Sequence, residues 1–253
     1  MKKTIGFIGA GRITRIILQA LENYGMKAEK ISAFDVNDGV TARLKEQFPA
    51  VQITTLDSVA TSDLIFIALH PPMILETIGQ LKGKFERNAI FISLAPKITL
   101  AKISETLETK NVVRLIPNAT SLINQGYNPV CYNTDLSGKN IVEELLAILG
   151  RTFETEEIKL EAYAIASAML PTYFWFQWYQ LIDIARQMGL TEEESRDCVM
   201  QTLQASIDTM FNSGLNKEEV IDLIPVKPIG EHEATINGLF QNNLIALYNK
   251  IKP

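Results

Sequence analysis

The chain has 253 residues, 47% of them hydrophobic, and its 24 basic and 29 acidic side chains leave a net charge of −5. That length supplies core for one large or two modest domains, and the acidic balance argues against nucleic acid or an anionic membrane as the main partner. Two cysteines (Cys131, Cys198) and two histidines (His70, His232) give no metal-ligand spacing; the thiols are expected to be buried and reduced, as in a cytoplasmic protein.

The Met-Lys-Lys start runs into a strand and a glycine turn, not into an apolar leader with a cleavage site. Every apolar stretch is broken well short of a membrane span. The first element is Thr4-Ile5-Gly6-Phe7-Ile8, followed by Gly9-Ala10-Gly11 and the helical pattern Ile13, Ile16, Ile17, Ala20, Leu21. A strand that enters a helix through Gly9 and Gly11 brings bare amides up to a pyrophosphate, where the helix dipole adds attraction. The third position of this fingerprint is Thr14, so two of three glycines are present, and a plain tight turn is the alternative. A second strand, 30–34, ends at Asp35. A carboxylate at that point accepts hydrogen bonds from an adenosine ribose and repels a 2′-phosphate, which favours NAD(H) over NADP(H). Arg12 beside the phosphates could instead reach a 2′-phosphate, and Asp35 could simply start a turn.

Further apolar runs at 63–69, 89–93, 112–115 and 130–132 alternate with helical patterns at 41–48, 73–81, 100–107 and 141–149. The alternation implies βαβ units and a mostly parallel sheet. Ligands of such sheets lie beyond the carboxyl ends of the strands. The segments to watch are therefore 9–14, Asp35, His70-Pro71-Pro72, Ala95-Pro96-Lys97 and Pro117-Asn118. From about residue 156 the strands stop. A helical pattern spans 161–188 with an interruption at Pro171; Thr191 and Asn216 open further helices, and a last one covers 234–250. Trp175, Phe176, Trp178 and Tyr179 are too many aromatics for a solvated face. They read equally as the domain's own core or as a contact between subunits.

Gly6-Phe7-Ile8-Gly9-Ala10-Gly11, Ala68-Leu69-His70-Pro71, Ser93-Leu94-Ala95 and Val113-Arg114-Leu115-Ile116-Pro117-Asn118-Ala119 occur in an order that resembles pyrroline-5-carboxylate reductase. Pro171-Thr172-Tyr173, Met188-Gly189-Leu190-Thr191-Glu192-Glu193-Glu194 and Thr235-Ile236-Asn237-Gly238-Leu239 extend the resemblance through the helical half. It implies a Rossmann-type α/β domain with a doubly wound parallel sheet over residues 1–155. An all-α dimerisation and substrate domain over 156–253 would follow, with the two copies forming a homodimer or larger homo-oligomer. The implied reaction is hydride transfer to the C=N bond of a small imino acid. Residues and resemblance together assign the nucleotide to Gly9, Ala10, Gly11, Arg12, Ile13, Asp35, Ala68, Leu69, His70 and Ala95. They assign the substrate to Asn118, Ser167, Met169, Lys227 and Thr235, with Thr235 and His232 in catalytic roles and no metal.

The departures from the family concentrate in the substrate half. Its Ser-Gly-Ser-Gly run is Ser167-Ala168-Met169-Leu170 in this chain, and its Ser-Pro-Gly-Gly-Thr-Thr loop is the longer 227–235, with Glu231 and Glu233. His70 stands in place of a Lys, and Lys97 in place of a Gly. Lys227 is the loop's cation at every assay pH and so the first choice for a substrate carboxylate. His232 between two acids suits a proton donor, and suits an exposed polar loop equally well. Two other classes stay open: an oxidoreductase of another small hydroxy or keto acid, and a non-catalytic nucleotide-binding dimeric regulator. Against the hydroxyacid branch, 161–188 contains no lysine.

Overall fold

The computed structural model describes residues 3–26 and 30–253. Among them, strands β1 (Thr4–Ile8), β2 (Lys30–Phe34), β3 (Gln52–Ile53), β4 (Leu64–Ile67), β5 (Ile90–Ser93), β6 (Val112–Leu115), β7 (Gly126–Tyr132) and β8 (Gly150–Glu154) form one sheet in the order β3-β2-β1-β4-β5-β6-β7-β8. All pairings are parallel except β6 with β7. β4, β5 and β6 are buried at every position, as strands covered on both faces must be.

Helices α1 (Arg12–Asn23), α2 (Asp38–Gln47), α3 (Leu56–Ala60), α4 (Pro71–Gly79), α5 (Leu100–Leu107) and α6 (Lys139–Ala147) supply that cover. Ile17 and Leu21 of α1, Leu44 of α2 and Val142 of α6 pack with Phe7, Phe66 and Ile92 on one face. Val59 of α3, Ile74 of α4 and Ile103 of α5 pack with Ile8, Ile67 and Phe91 on the other. The sheet is thus doubly wound.

Two strands have no counterpart in the sequence pattern. β3 is two exposed residues, and the edge strand β8 buries none of its residues completely, so neither carries an apolar run. β7 begins at Gly126, four residues upstream of the expected run, because its first half contains Gly126 and Asn128.

After β8 come α7 (Leu160–Tyr163), a π-helical turn over Ala164–Ala168, α8 (Leu170–Gln187), α9 (Glu192–Asn212), α10 (Lys217–Asp222) and α11 (Glu233–Ile251). Pro171 is the second residue of α8, where a missing N–H breaks no helical hydrogen bond. Thr191 with Glu194, and Asn216 with Glu219, form capping boxes for α9 and α10. One compact unit runs to Met169 and includes Leu247–Pro253; the other is Leu170–Ala246. The first extends past the last strand because Leu160 and Ala164 pack on Ile116.

The second unit has little core of its own. α8 buries only Pro171 and Ala185, α9 only Ser195, and α11 nothing. Phe176, Tyr179 and Phe211 are each about 70% exposed, at 67%, 72% and 71%. The cysteine expectation is corrected accordingly: both are free thiols, but Cys198 on α9 is exposed and Cys131 on β7 only half-buried. α9 buries only Ser195, so its cysteine stays in solvent.

Candidate active site

The register Ile8↔Phe34, Ile8↔Ile67 and Ile67↔Ser93 brings the carboxyl ends of β2, β1, β4 and β5 into one row. Gly9, Asp35, Ala68 and Ala95 follow those ends. Gly9 has φ +105°, and a Cβ there would stand 2.5 Å from the Ala68 carbonyl oxygen. Its amide donates to the Phe34 carbonyl at 2.7 Å. A glycine is required on both counts. A Cβ on Gly11, the N-cap of α1, would meet nothing within 4 Å. No side chain caps this helix, so its first amides face open space above the turn, as an anion requires. These residues fit a dinucleotide diphosphate.

Thr14 explains its own departure from the fingerprint. It is fully buried, and its hydroxyl donates to the Gly9 carbonyl at 2.6 Å. Asp35 closes the turn from the other side: Oδ2 accepts from the Ala10 amide and Oδ1 from the Asn37 amide, each at 2.9 Å. The carboxylate remains partly exposed at the end of β2. Arg12 is exposed, and Ile13 packs partly into the core. Ala68 and Leu69 are half-buried, while His70 is exposed as the N-cap of α4 and makes no capping bond with its ring. Ala95 is buried.

Two substrate candidates meet in the first unit. Asn118 Nδ2 donates to Ser167 Oγ at 3.1 Å, while its Oδ1 accepts from the Thr120 amide and hydroxyl. Both ends of the buried Asn118 amide are thus engaged, and it ties the loop after β6 to the π-helical turn. Met169 follows that turn, its amide donating to the Ala164 carbonyl. In the second unit, Lys227, His232 and Thr235 are all exposed on one short segment leading into α11. His232 Nε2 lies 3.5 Å from Glu231 Oε1, a solvated pair of little energetic weight. Lys227 borders an open cavity of about 650 Å³ with Val220, Ile224 and Ile236.

A buried charge cluster has no counterpart in the site expected from the sequence. Arg114, on the otherwise apolar β6, is fully buried. Its Nη1 pairs with Glu157 at 2.8 Å and its Nη2 with Glu161 at 2.5 Å. Burial raises the pKa of the neighbouring Cys131 thiol and the Glu157 charge adds to it, so this sulfur stays protonated. The sequence signal was an arginine inside Val112-Val113-Arg114-Leu115: a guanidinium in a buried strand needs carboxylate partners.

Among known proteins, the family described as NADP oxidoreductase, coenzyme F420-dependent, matches residues 4–97. The chain is similar to the pyrroline-5-carboxylate reductase of Pseudomonas aeruginosa, with 24% identity over 96% of this chain and 90% of that one. With the Pasteurella multocida enzyme of the same name it shares 28% identity over 79% of this chain and 76% of that one. The Plasmodium falciparum pyrroline carboxylate reductase, solved with NADP bound, superimposes with a TM-score of 0.83 at 21% identity, covering 99% of this chain and 97% of that one. This last likeness is one of fold: a Rossmann-type sheet followed by helices. The resemblance read from the motifs therefore holds through both units.

Proposed function

We infer that this chain, a relative of the pyrroline-5-carboxylate reductases along nearly its whole length, is an NAD(P)H-dependent reductase of pyrroline-5-carboxylate or a closely related imino acid, with proline or its analogue as product. The observation that carries this reading is the open, uncapped start of α1 behind the positive-φ Gly9, in a chain whose likeness to these enzymes spans both units. When bound, the nicotinamide supplies the hydride. The protein's part is to hold the dinucleotide and the imino acid in register, since a protonated imine is already electrophilic. Among the described residues no helix is long and apolar enough to cross a membrane; the cytoplasmic location goes with the reductase reading.

Gly9, Ala10, Gly11, Arg12 and Ile13 receive the diphosphate, and Asp35 the adenosine ribose. Ala68, Leu69, His70 and Ala95 border the nicotinamide half. NAD(H) is the preferred form, because Asp35 sits at the ribose end with its carboxylate partly exposed. Fluorescence titration is expected to give tighter NADH than NADPH binding, with the gap narrowed in Asp35→Ser. Tighter NADPH binding by the wild type would reverse the assignment and make Arg12 the phosphate ligand.

The substrate half falls to Asn118, Ser167, Met169, Lys227 and Thr235. Lys227 supplies the charge for a carboxylate, Thr235 a hydroxyl to orient the imine nitrogen, and His232 a proton source. Thr235→Val and Lys227→Ala are expected to lower turnover roughly ten- to a hundred-fold, the worth of one lost hydrogen bond to a buried partner. NADH affinity should be unchanged. Full activity in both variants would remove the 227–235 segment from the site.

The working form is a homodimer built on the second unit. Phe176, Tyr179, Phe211, Ile224 and Val226 are each about two-thirds exposed or more, at 67%, 72%, 71%, 68% and 72%, and large apolar side chains in solvent are what a subunit contact would cover. Light scattering at micromolar concentration is expected to give at least twice the chain mass; a monomer would refute the dimer. A non-catalytic regulator would bind NADH without turnover on an imine and keto-acid panel.

A further inference from the structure

Two carboxylates link one buried guanidinium to the backbone of the loop between β5 and α5. Glu161 Oε1 accepts from Arg114 Nη2 at 2.5 Å and from the Lys97 amide at 3.0 Å. Glu157 Oε1 accepts from Arg114 Nη1 at 2.8 Å and from the Leu100 amide at 2.6 Å. The loop is therefore anchored at two points three residues apart. Arg114 and Glu161 are 0% and 1% exposed, so neither is available to a ligand directly.

The anchored backbone is strained. Lys97 has φ +75°, a left-handed conformation that a residue with a Cβ adopts only when its surroundings hold it there. The Glu161 bond to the Lys97 amide is such a hold. A loop released from it relaxes toward negative φ and carries the neighbouring Ala95-Pro96 with it.

The strand order fixes what that loop faces. Along the row of carboxyl ends the sequence is β2, β1, β4, β5. Asp35 ends β2 at the ribose position, and the turn after β1 takes the diphosphate. A dinucleotide laid across this row from Asp35 over Gly9–Ala10–Gly11 presents its nicotinamide half to the segments after β4 and β5. The strained loop is the latter.

We propose that Arg114, Glu157 and Glu161 are positioning residues that clamp the 95–100 loop in the shape needed by the nicotinamide half of the dinucleotide. The proposal rests on the nucleotide assignment made above. None of the three touches a reacting atom; they act through the backbone of Lys97 and Leu100.

The test compares two ligands on the full-length protein: the preferred dinucleotide, and the ADP-ribose (or its 2′-phosphate) that lacks only the nicotinamide. Glu161→Gln, which keeps side-chain size and an acceptor oxygen, is expected to weaken dinucleotide binding about ten-fold, the worth of one charge-assisted hydrogen bond. ADP-ribose affinity should remain at the wild-type value. Lys97→Gly in the same background should recover part of the loss, since glycine holds φ +75° without strain. Equal losses for both ligands, or a lowered melting temperature with both affinities intact, would overturn the clamp and leave the nucleotide site standing. Absence of recovery with Lys97→Gly would overturn the claim that the held conformation is what matters. Failure of the wild type to bind either ligand would overturn the nucleotide reading and the clamp together.

Discussion

Gly9→Ala is expected to lower dinucleotide affinity by at least a hundred-fold and to destabilise the free protein by about 1–3 kcal/mol. The added Cβ would stand 2.5 Å from the Ala68 carbonyl oxygen and 2.9 Å from its carbon, on a backbone at φ +105°. Relief requires the end of β1 to move away from β4. That movement breaks the Ala68 amide bond to the Ile8 carbonyl, at 2.8 Å, and crowds Gly9 against the Phe34 carbonyl on β2, already 2.7 Å from its amide. It also displaces the Ala10 amide from Asp35. Gly11→Ala provides the contrast. Its Cβ meets nothing within 4 Å and its φ is −74°, so the free protein should keep its stability while the methyl group occupies space intended for the diphosphate. Denaturation and NADH titration of the two variants separate fold from site. Wild-type NADH affinity in Gly9→Ala would mean the dinucleotide does not lie on this turn.

Arg114→Met should be the most destabilising single change in the first unit, by about 3–5 kcal/mol. It leaves Glu161, 1% exposed, as a buried carboxylate without a counter-charge. The Lys97 amide alone does not neutralise it. Adding Glu161→Gln to Arg114→Met removes the orphaned charge and is expected to restore part of the loss, because replacing both members of a buried pair is far milder than removing one. Urea midpoints for the single and double variants measure this. A drop below about 1 kcal/mol for Arg114→Met would show that the cluster is not a true interior ion pair.

The glycine turn was legible in the sequence for a reason particular to it. A positive φ and a carbonyl oxygen within 2.5 Å of any Cβ admit glycine alone at position 9. The one departure from the fingerprint, Thr14, was visible but unexplained, since its hydroxyl is used inward on Gly9 rather than toward a ligand. Strands buried on both faces announce themselves as apolar runs, which is why β4, β5 and β6 fell where expected; β3 and β8 lie at the sheet edges and carry no such signal. The caps at Thr191 and Asn216 were read directly, because a capping box is a local pattern.

Long-range partners were not legible. Arg114 lies 43 and 47 residues from the two glutamates that neutralise it, and no local rule selects Glu157 and Glu161 from among the neighbouring acids. Asn118 stood out by its motif, but its bond to Ser167, 49 residues further along, is announced by no local pattern. The aromatic run of α8 left core and interface evenly balanced. Its exposure in the single chain favours the interface: Trp175 is 43% and Tyr179 72% exposed.

The most direct measurement is NADH and NADPH oxidation by the purified protein with pyrroline-5-carboxylate, with proline quantified in the same reaction. Saturable turnover is expected, with one proline formed for each reduced dinucleotide consumed. Tight dinucleotide binding with no turnover on pyrroline-5-carboxylate or related cyclic imino acids, at any substrate concentration, would contradict it.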